Sequence, residues 1–330
     1  MKEDFKITSS FQELEKTDLS GKRLAVGFRP SGELHIGNLL TLAYSSVLAS
    51  RLGLELDLMC CDTDWSAHIH ENHRPENSDV MKLFFMRDCP CSNHSNIAEH
   101  RVDEIRPFLK GLENYTGQKI EPKFLSQEGS EGYREALKQV LENMDEFDEI
   151  FGGGFRRRYR SPVVNVCDNC GFSHSKGAPY SRETGELVAS CRNKTCVSGF
   201  SRGQLDEKIG VYYLVDPVRD PPRDVAVHVF GGDYRDAAKE QKTSKIEKVA
   251  KITELANGET PHYFLTPMIA DKDGKPLSKS KNTGVTVSEI DELEAYGEKL
   301  AEKVDELLNE EKKYISQKEL VFDSKTGKLE

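Results

Sequence analysis

The sequence predicts an α/β fold, a parallel sheet with helices on both faces. Strand-length apolar runs alternate with helical patterns along most of the chain. The first such run breaks at small residues and feeds directly into a helix. Between residues 89 and 196 closely spaced cysteines and histidines interrupt the alternation, which predicts a zinc-binding insertion.

Composition bounds the answer. With 330 residues, 37% of them hydrophobic, the chain is long enough for one large domain or two ordinary ones. No apolar run reaches membrane-spanning length, and the N-terminal MKEDFKITSS lacks a secretory core. The expected location is therefore the cytoplasm, with no membrane partner. A net charge of -10 argues against a protein that coats nucleic acid, DNA included, without selectivity. A local basic patch can still engage RNA. Six of the eight cysteines lie in close-spaced groups, a pattern of metal ligands before disulfides.

FQELEKTDLS reads as a lead-in helix before the first strand. Residues 24–52, LAVGFRPSGELHIGNLLTLAYSSVLASRL, then give a strand, a Pro30-Ser31-Gly32 turn and an amphipathic helix opened by His35-Ile36-Gly37-Asn38. Unpaired N–H groups and the positive dipole end of such a helix face whatever lies above the sheet, a place for phosphate. His35 and Asn38, three apart, share a face, and Gly37 lets a ligand approach the backbone. The alternative is a cap-region histidine with a packing glycine. The next strand, LGLELDLMCC, ends at Asp62 and Asp64, which either face a substrate or cap a loop.

Cys89, Cys91, His94 and His100 can close a tetrahedral zinc shell at a helix entry, or form a chance polar grouping. The helix that follows runs to about Leu112, with Val102, Ile105, Phe108, Leu109 and Leu112 on one face, and KIEPKFLS reads as a strand. Residues 131–150 predict a packing helix ended by three glycines. Phe155-Arg156-Arg157-Arg158-Tyr159-Arg160 suits an RNA backbone, or balances nearby acids as a solvated loop. Cys167, Cys170, Cys191 and Cys196 form two knuckles whose four thiolates satisfy one structural Zn2+. VYYLVDP and VAVHVFGG restore the strand pattern, and Gly231 and Asp233 follow at a strand end, where glycine gives access and the carboxylate can accept from a ribose. A long helix over about 236–256, the strand HYFLTP, a lysine-rich polar loop, a charged helix over 288–308 and a frayed tail complete the chain.

Taken together, PSGELHIGN near the N-terminus and Leu277-Ser278-Lys279-Ser280-Lys281-Asn282 near the C-terminus resemble the two signatures of class I aminoacyl-tRNA synthetases. Ala98-Glu99-His100 after a Cys/His cluster, the helix GYREALKQVLENMDEF, the Cys-x2-Cys ribbon and Val215-Asp216-Pro217 resemble, in particular, the class I lysyl-tRNA synthetases of archaeal type. The resemblance covers roughly residues 22–290. It implies a Rossmann-like (HUP-type) catalytic domain in two halves, 1–85 and 206–287, an insertion at 86–205 with zinc-binding segments, and a C-terminal helix and tail at 288–330. It further implies a ligase that makes lysyl-adenylate from lysine and ATP with Mg2+ and transfers lysine to the acceptor end of tRNA.

Carried over by motif position, His35 and Asn38 contact ATP phosphates within a site that includes Pro30, Ser31, Gly32 and Gly37. Gly231 and Asp233 serve the ribose, and Lys279, with Lys281, acts on the phosphates in the transition state, flanked by Ser278 and Ser280. The resemblance also favours zinc at Cys89, Cys91, His94 and His100. The sequence departs from the family at Pro276, which stands at the first lysine of the loop pattern. It departs also at Arg29, where a small hydroxyl residue is usual and a cation either repels a lysine side chain or points at phosphate. The family continues into a helical anticodon-binding domain, so the expectation is a separate partner for that task or acceptor-stem contacts alone. Transfer to a non-tRNA acceptor and a non-catalytic RNA-binding regulator are the competing readings.

Overall fold

Arg23–Phe28 and Val225–Phe230, some two hundred residues apart in sequence, lie side by side and parallel at the centre of the fold. In the computed structural model the described residues are 6–20, 22–30, 34–61, 80–82, 89, 91, 93–94, 97–124, 131–158, 161–164, 172–174, 178–187, 210–212, 214–219, 224–235, 243–270, 285–310, 312–320, 322–323 and 328–329. Six strands form the main sheet: β1 (Ile7–Thr8), β2 (Arg23–Phe28), β3 (Glu55–Cys60), β4 (Pro122–Phe124), β5 (Val225–Phe230) and β6 (His262–Leu265). Their order is β1-β6-β5-β2-β3-β4, and every neighbouring pair is parallel. A parallel sheet needs cover on both faces, so its strands read as near-continuous apolar runs. All six residues of β5 are buried.

Two apolar clusters provide that cover. On one face, Leu24, Val26 and Phe28 of β2 pack with α1 (Ile36–Leu52), α2 (Ile97–Thr116) and α6 (Leu293–Leu307). On the other, Phe230, Tyr263 and Leu265 pack with α3 (Glu131–Glu142), α4 (Met144–Ile150) and α5 (Lys245–Asn257). A bulge between Val225 and Val227 resets the alternation of β5, which is why Ala226 and Val227 both join the first cluster.

The helix patterns hold where one face is wet. The five α2 residues expected on one face are all buried, and Tyr133, Ala136, Leu137, Val140 and Leu141 of α3 are buried in the second cluster. The 131–150 pattern is two helices rather than one, broken at Asn143. The amphipathic expectation for α1 fails: Leu39 and Leu40 are buried, and Leu42, Ala43, Tyr44, Ser45, Ser46, Val47, Leu48 and Ala49 are buried in succession. A helix pressed between a sheet and two other helices has little exposed face. Its serines find carbonyl acceptors, Ser45 Oγ donating to Thr41 O one turn back at 2.8 Å and Ser50 Oγ to Thr116 O of α2 at 3.3 Å.

Helices α2 and α6 touch backbone to backbone. A Cβ on Gly111 would overlap Glu294 O, and one on Gly297 would overlap Phe108 O. Beyond α6, the expected frayed tail is instead ordered at β8 (Tyr314–Ser316), which pairs parallel with β7 (Met268–Ala270), while Tyr296 donates its hydroxyl to Leu320 O. The alternation in so short a piece is too brief to read as a strand before its partner is known. Among its described residues VYYLVDP contributes only Val211 to a strand, Gly210–Val211, and the chain then turns into a 3-10 helix at Asp216–Arg219. Among the described residues no helix is long and apolar enough to cross a membrane.

Candidate active site

The chain runs from β2 through α1 to β3 on one side, and β5 lies on the other side of β2 before running on through α5 to β6. The strand order therefore reverses between β2 and β5. At such a point the loops leaving the two carboxyl ends part, and a crevice opens above the sheet. His35 follows β2 at that point, and Gly231 follows β5.

His35 caps α1. Its Nδ1 accepts from Gly37 N at 3.1 Å, and its own N–H donates to Asn38 Oδ1 at 3.2 Å. With Nδ1 accepting, the neutral imidazole carries its proton on Nε2 and is a donor on that side. Asn38 uses its oxygen on the backbone, so its amide hydrogens are the part of the side chain that can serve an anion. The cap reading and the anion reading are thus compatible: capping fixes which atoms face outward. The reason for glycine at 37 is local, because a Cβ there would lie 2.9 Å from His35 Cε1 and 3.0 Å from Nδ1. The imidazole lies back over this glycine.

The second predicted piece is adjacent. A Cβ on Gly231 would lie 2.9 Å from Asp233 Oδ1 and 3.7 Å from Oγ1 of Thr41, one turn into α1. Thr41 Oγ1 in turn donates to Gly37 O at 3.0 Å. Asp233 Oδ2 accepts from Lys245 Nζ at 2.8 Å. Gly232 permits the close approach of the chain after β6, since a Cβ there would lie 2.8 Å from Met268 N.

Sequence reasoning missed the contact that closes the site. Ile36 N donates to Val285 O at 2.9 Å, Val287 N donates to Leu34 O at 2.9 Å, and His35 and Thr286 form an antiparallel bridge. The segment directly after the lysine-rich loop is thus hydrogen-bonded to the residues that open α1. Lys279 and Lys281 precede Val285 by six and four positions. Together with Ser278, Ser280, Ser31, Gly32, Asp62, Asp64, Tyr159, Arg160 and the cysteines 167, 170, 191 and 196, they lie outside the described residues; Pro30 ends the described part of the turn after β2.

Directly after β2 and β3, Arg29 Nη2 donates to Asp216 Oδ2 at 3.1 Å, and Arg219 Nη1 reaches Cys61 Sγ at 3.7 Å. Burial pushes the Cys61 thiol up to about 11, which keeps it protonated and unreactive. The sequence signal was Asp216-Pro217 at a strand end, to which no role was assigned. Of the arginine tract, Arg156 is ion-paired with Asp145, and Phe155 is buried against Phe147 at 4.8 Å between ring centroids. At Arg156 the tract balances nearby acids.

The first Cys/His cluster assembles. Cys89 Sγ and Cys91 Sγ are 3.1 Å apart, Cys89 Sγ lies 3.2 Å from His100 Nδ1, and Cys91 Sγ lies 3.0 Å from His94 Nδ1. All four ligand atoms fall within 4.8 Å of one another. Ligand atoms around one tetrahedral zinc are about 3 to 4 Å apart, and two thiolates with two imidazoles are a donor set that zinc takes. The bond with His94 holds the Cys91 thiol down to about 6, in the form that ligates metal.

A parallel sheet with a His-Ile-Gly-Asn helix start at its switch point, joined to the segment after a lysine loop, is the architecture of a class I aminoacyl-tRNA synthetase catalytic domain. The family model described as tRNA synthetases class I (K) matches residues 6–300, and the chain belongs to that family. It is 28% identical over 295 residues to lysine--tRNA ligase 1 of Methanosarcina acetivorans, covering 83% of this chain and 51% of that one. To the lysine--tRNA ligase of Methanosarcina barkeri it is 27% identical over 299 residues, with the same coverage. The chain spans about half the length of the curated relatives it matches. Among solved structures, the tyrosyl-tRNA synthetase of Archaeoglobus fulgidus is similar at a TM-score of 0.45 and 14% identity, covering 92% of this chain and 80% of that one.

Proposed function

We propose that this chain is a cytoplasmic ligase that activates lysine with ATP to lysyl-adenylate and passes the lysyl group to the acceptor end of a tRNA. The observation that carries this reading is the pairing of Leu34–Ile36 with Val285–Val287, because it tethers the lysine loop to the helix start that bears His35 and Asn38.

In the proposed reaction a lysine carboxylate oxygen attacks the α-phosphorus and pyrophosphate leaves. Negative charge gathers on phosphoryl oxygens, so donors aimed there lower the barrier without an enzyme nucleophile. His35 through Nε2–H, Asn38 through its amide hydrogens, Lys279 and Lys281 are those donors, and Mg2+ accompanies the nucleotide. Asp233 accepts from the ribose hydroxyls beside Gly231. In the second step a terminal ribose hydroxyl of the tRNA attacks the acyl carbon and AMP leaves. The Arg29–Asp216 pair supports a cationic amino acid, since it balances the guanidinium charge beside the crevice. Zinc is structural in this reading, with one ion at Cys89, Cys91, His94 and His100 and another at Cys167, Cys170, Cys191 and Cys196.

Pyrophosphate exchange with each amino acid in turn tests the proposal. Exchange dependent on lysine is expected. Exchange with another amino acid alone removes the lysine assignment, and exchange with none removes adenylate formation.

A further inference from the structure

Both histidines of the first cluster meet the thiols through the same ring nitrogen, Nδ1, and both present the other nitrogen to a carboxylate of α2. His94 Nε2 lies 3.1 Å from Asp103 Oδ2, and His100 Nε2 lies 3.0 Å from Glu104 Oε1, one helical turn below. The two acids are consecutive in sequence. Each is held in turn by an arginine of the same helix: Asp103 Oδ1 accepts from Arg106 Nε at 3.1 Å and Nη2 at 3.0 Å, and Glu104 Oε1 accepts from Arg101 Nη1 at 2.6 Å.

An ordinary surface pairing of histidine with acid contributes little and requires nothing of the other ring nitrogen. Here both rings are oriented alike, with the ligating nitrogen toward the sulfurs and the second nitrogen on an anchored carboxylate. An imidazole that gives Nδ1 to a metal carries its proton on Nε2. A carboxylate accepting that proton fixes the tautomer and the ring plane and makes Nδ1 a better donor. We propose that Asp103 and Glu104 are the outer carboxylates of the zinc centre, setting its affinity, and that through them the ion fixes the first turns of α2. The proposal rests on the reading of Cys89, Cys91, His94 and His100 as zinc ligands.

Through α2 the centre reaches further into the fold. Gly111 and Gly297 bring α2 and α6 into backbone contact, and α6 follows the Val285–Val287 segment that pairs with the start of α1. A clamp at the entry of α2 thus bears on the wall of helices behind the crevice.

The test is zinc affinity, read by competition with a chromophoric chelator on the full chain, with Co2+ substitution to report the ligand set. Cys89→Ser should lower the zinc content by one ion per chain; an unchanged content would overturn the zinc centre itself. Asp103→Asn and Glu104→Gln should each keep the ion but weaken its binding about 10- to 100-fold, and should shift the visible bands of the cobalt form. Lys110→Ala, which removes an ion pair with Glu113 further along α2 without touching the cluster or its carboxylates, should change affinity less than about threefold on the same scale. If Cys89→Ser loses the ion while both carboxylate variants bind zinc as tightly as the parent, the centre stands and the outer-carboxylate assignment falls. If all three helix variants weaken binding equally, the effect belongs to α2 stability, and the assignment falls as well.

Discussion

Gly37→Ala separates the two things that the first turn of α1 does. The new Cβ would stand 2.9 Å from His35 Cε1 and 3.0 Å from Nδ1, so the imidazole must swing off the helix while the backbone stays. The bond from Gly37 N to Nδ1 is then lost, which costs about 0.5–2 kcal/mol for a helix cap. Alanine for glycine in a helix returns about 0.8–1 kcal/mol, somewhat less near an end. The two effects nearly cancel, so stability should move by no more than about 1 kcal/mol on these scales. Catalysis has no such offset. If Nε2 of His35 donates to the phosphates in the transition state, displacing it should slow lysine-dependent pyrophosphate exchange about 10²- to 10³-fold. Thermal unfolding and exchange on the same preparation give both readouts. A variant that melts with the parent and exchanges within threefold of it would refute the donor role. A variant that melts far below it would show that Gly37 is needed for packing.

Three further outcomes are expected. Lys279→Ala should lower adenylate formation about 10²-fold, the scale of one transition-state donor, with the melting temperature unchanged; an undiminished exchange rate would separate the loop from the chemistry. Gly297→Ala would set a methyl against Phe108 O and force α6 off α2, costing about 2–3 kcal/mol by urea denaturation after the helix-propensity gain, and a neutral variant would refute the close backbone contact. Burial, helped by the charges of Lys6 and Lys22, lowers the pKa of His262 below its ordinary 6.5, so the folded chain favours the neutral ring. Its contribution is then full above about pH 6.5 and is lost as pH falls from there through the lower pKa of the folded chain, because the unfolded chain takes up the proton first. His262→Gln should flatten the drop in urea midpoint between about pH 7.5 and 5.5 relative to the parent, on the linkage argument.

How far the sequence could be read depended on the range of the interactions. The wet-faced helices were legible because one apolar stripe is written within a dozen residues, as in Val102, Ile105, Phe108, Leu109 and Leu112. Central strands were legible because burial on both faces leaves a continuous apolar run. Helix α1 was misread as amphipathic because what covers its far side, α2 and α6, comes from distant sequence. β8 and the edge strand β1 were missed because two or three residues carry no period until a partner is present. The cysteine and histidine spacing singled out Cys89, Cys91, His94 and His100, which the structure brings together, but not Asp103 and Glu104 beside the two rings.

By itself, then, the sequence determined the alternation of strands and helices, the His-Ile-Gly-Asn helix start, the Gly-x-Asp strand end and the family to which these belong. Each is a local pattern, set by side-chain period or by motif. Only the tertiary structure decided that β5 returns beside β2 and brings Gly231 against Thr41, that Val285–Val287 pairs with Leu34–Ile36, and that Arg29 spends its charge on Asp216. Those contacts join residues some 180 or more positions apart, and no local preference specifies them; they follow from the one arrangement that covers both faces of the sheet.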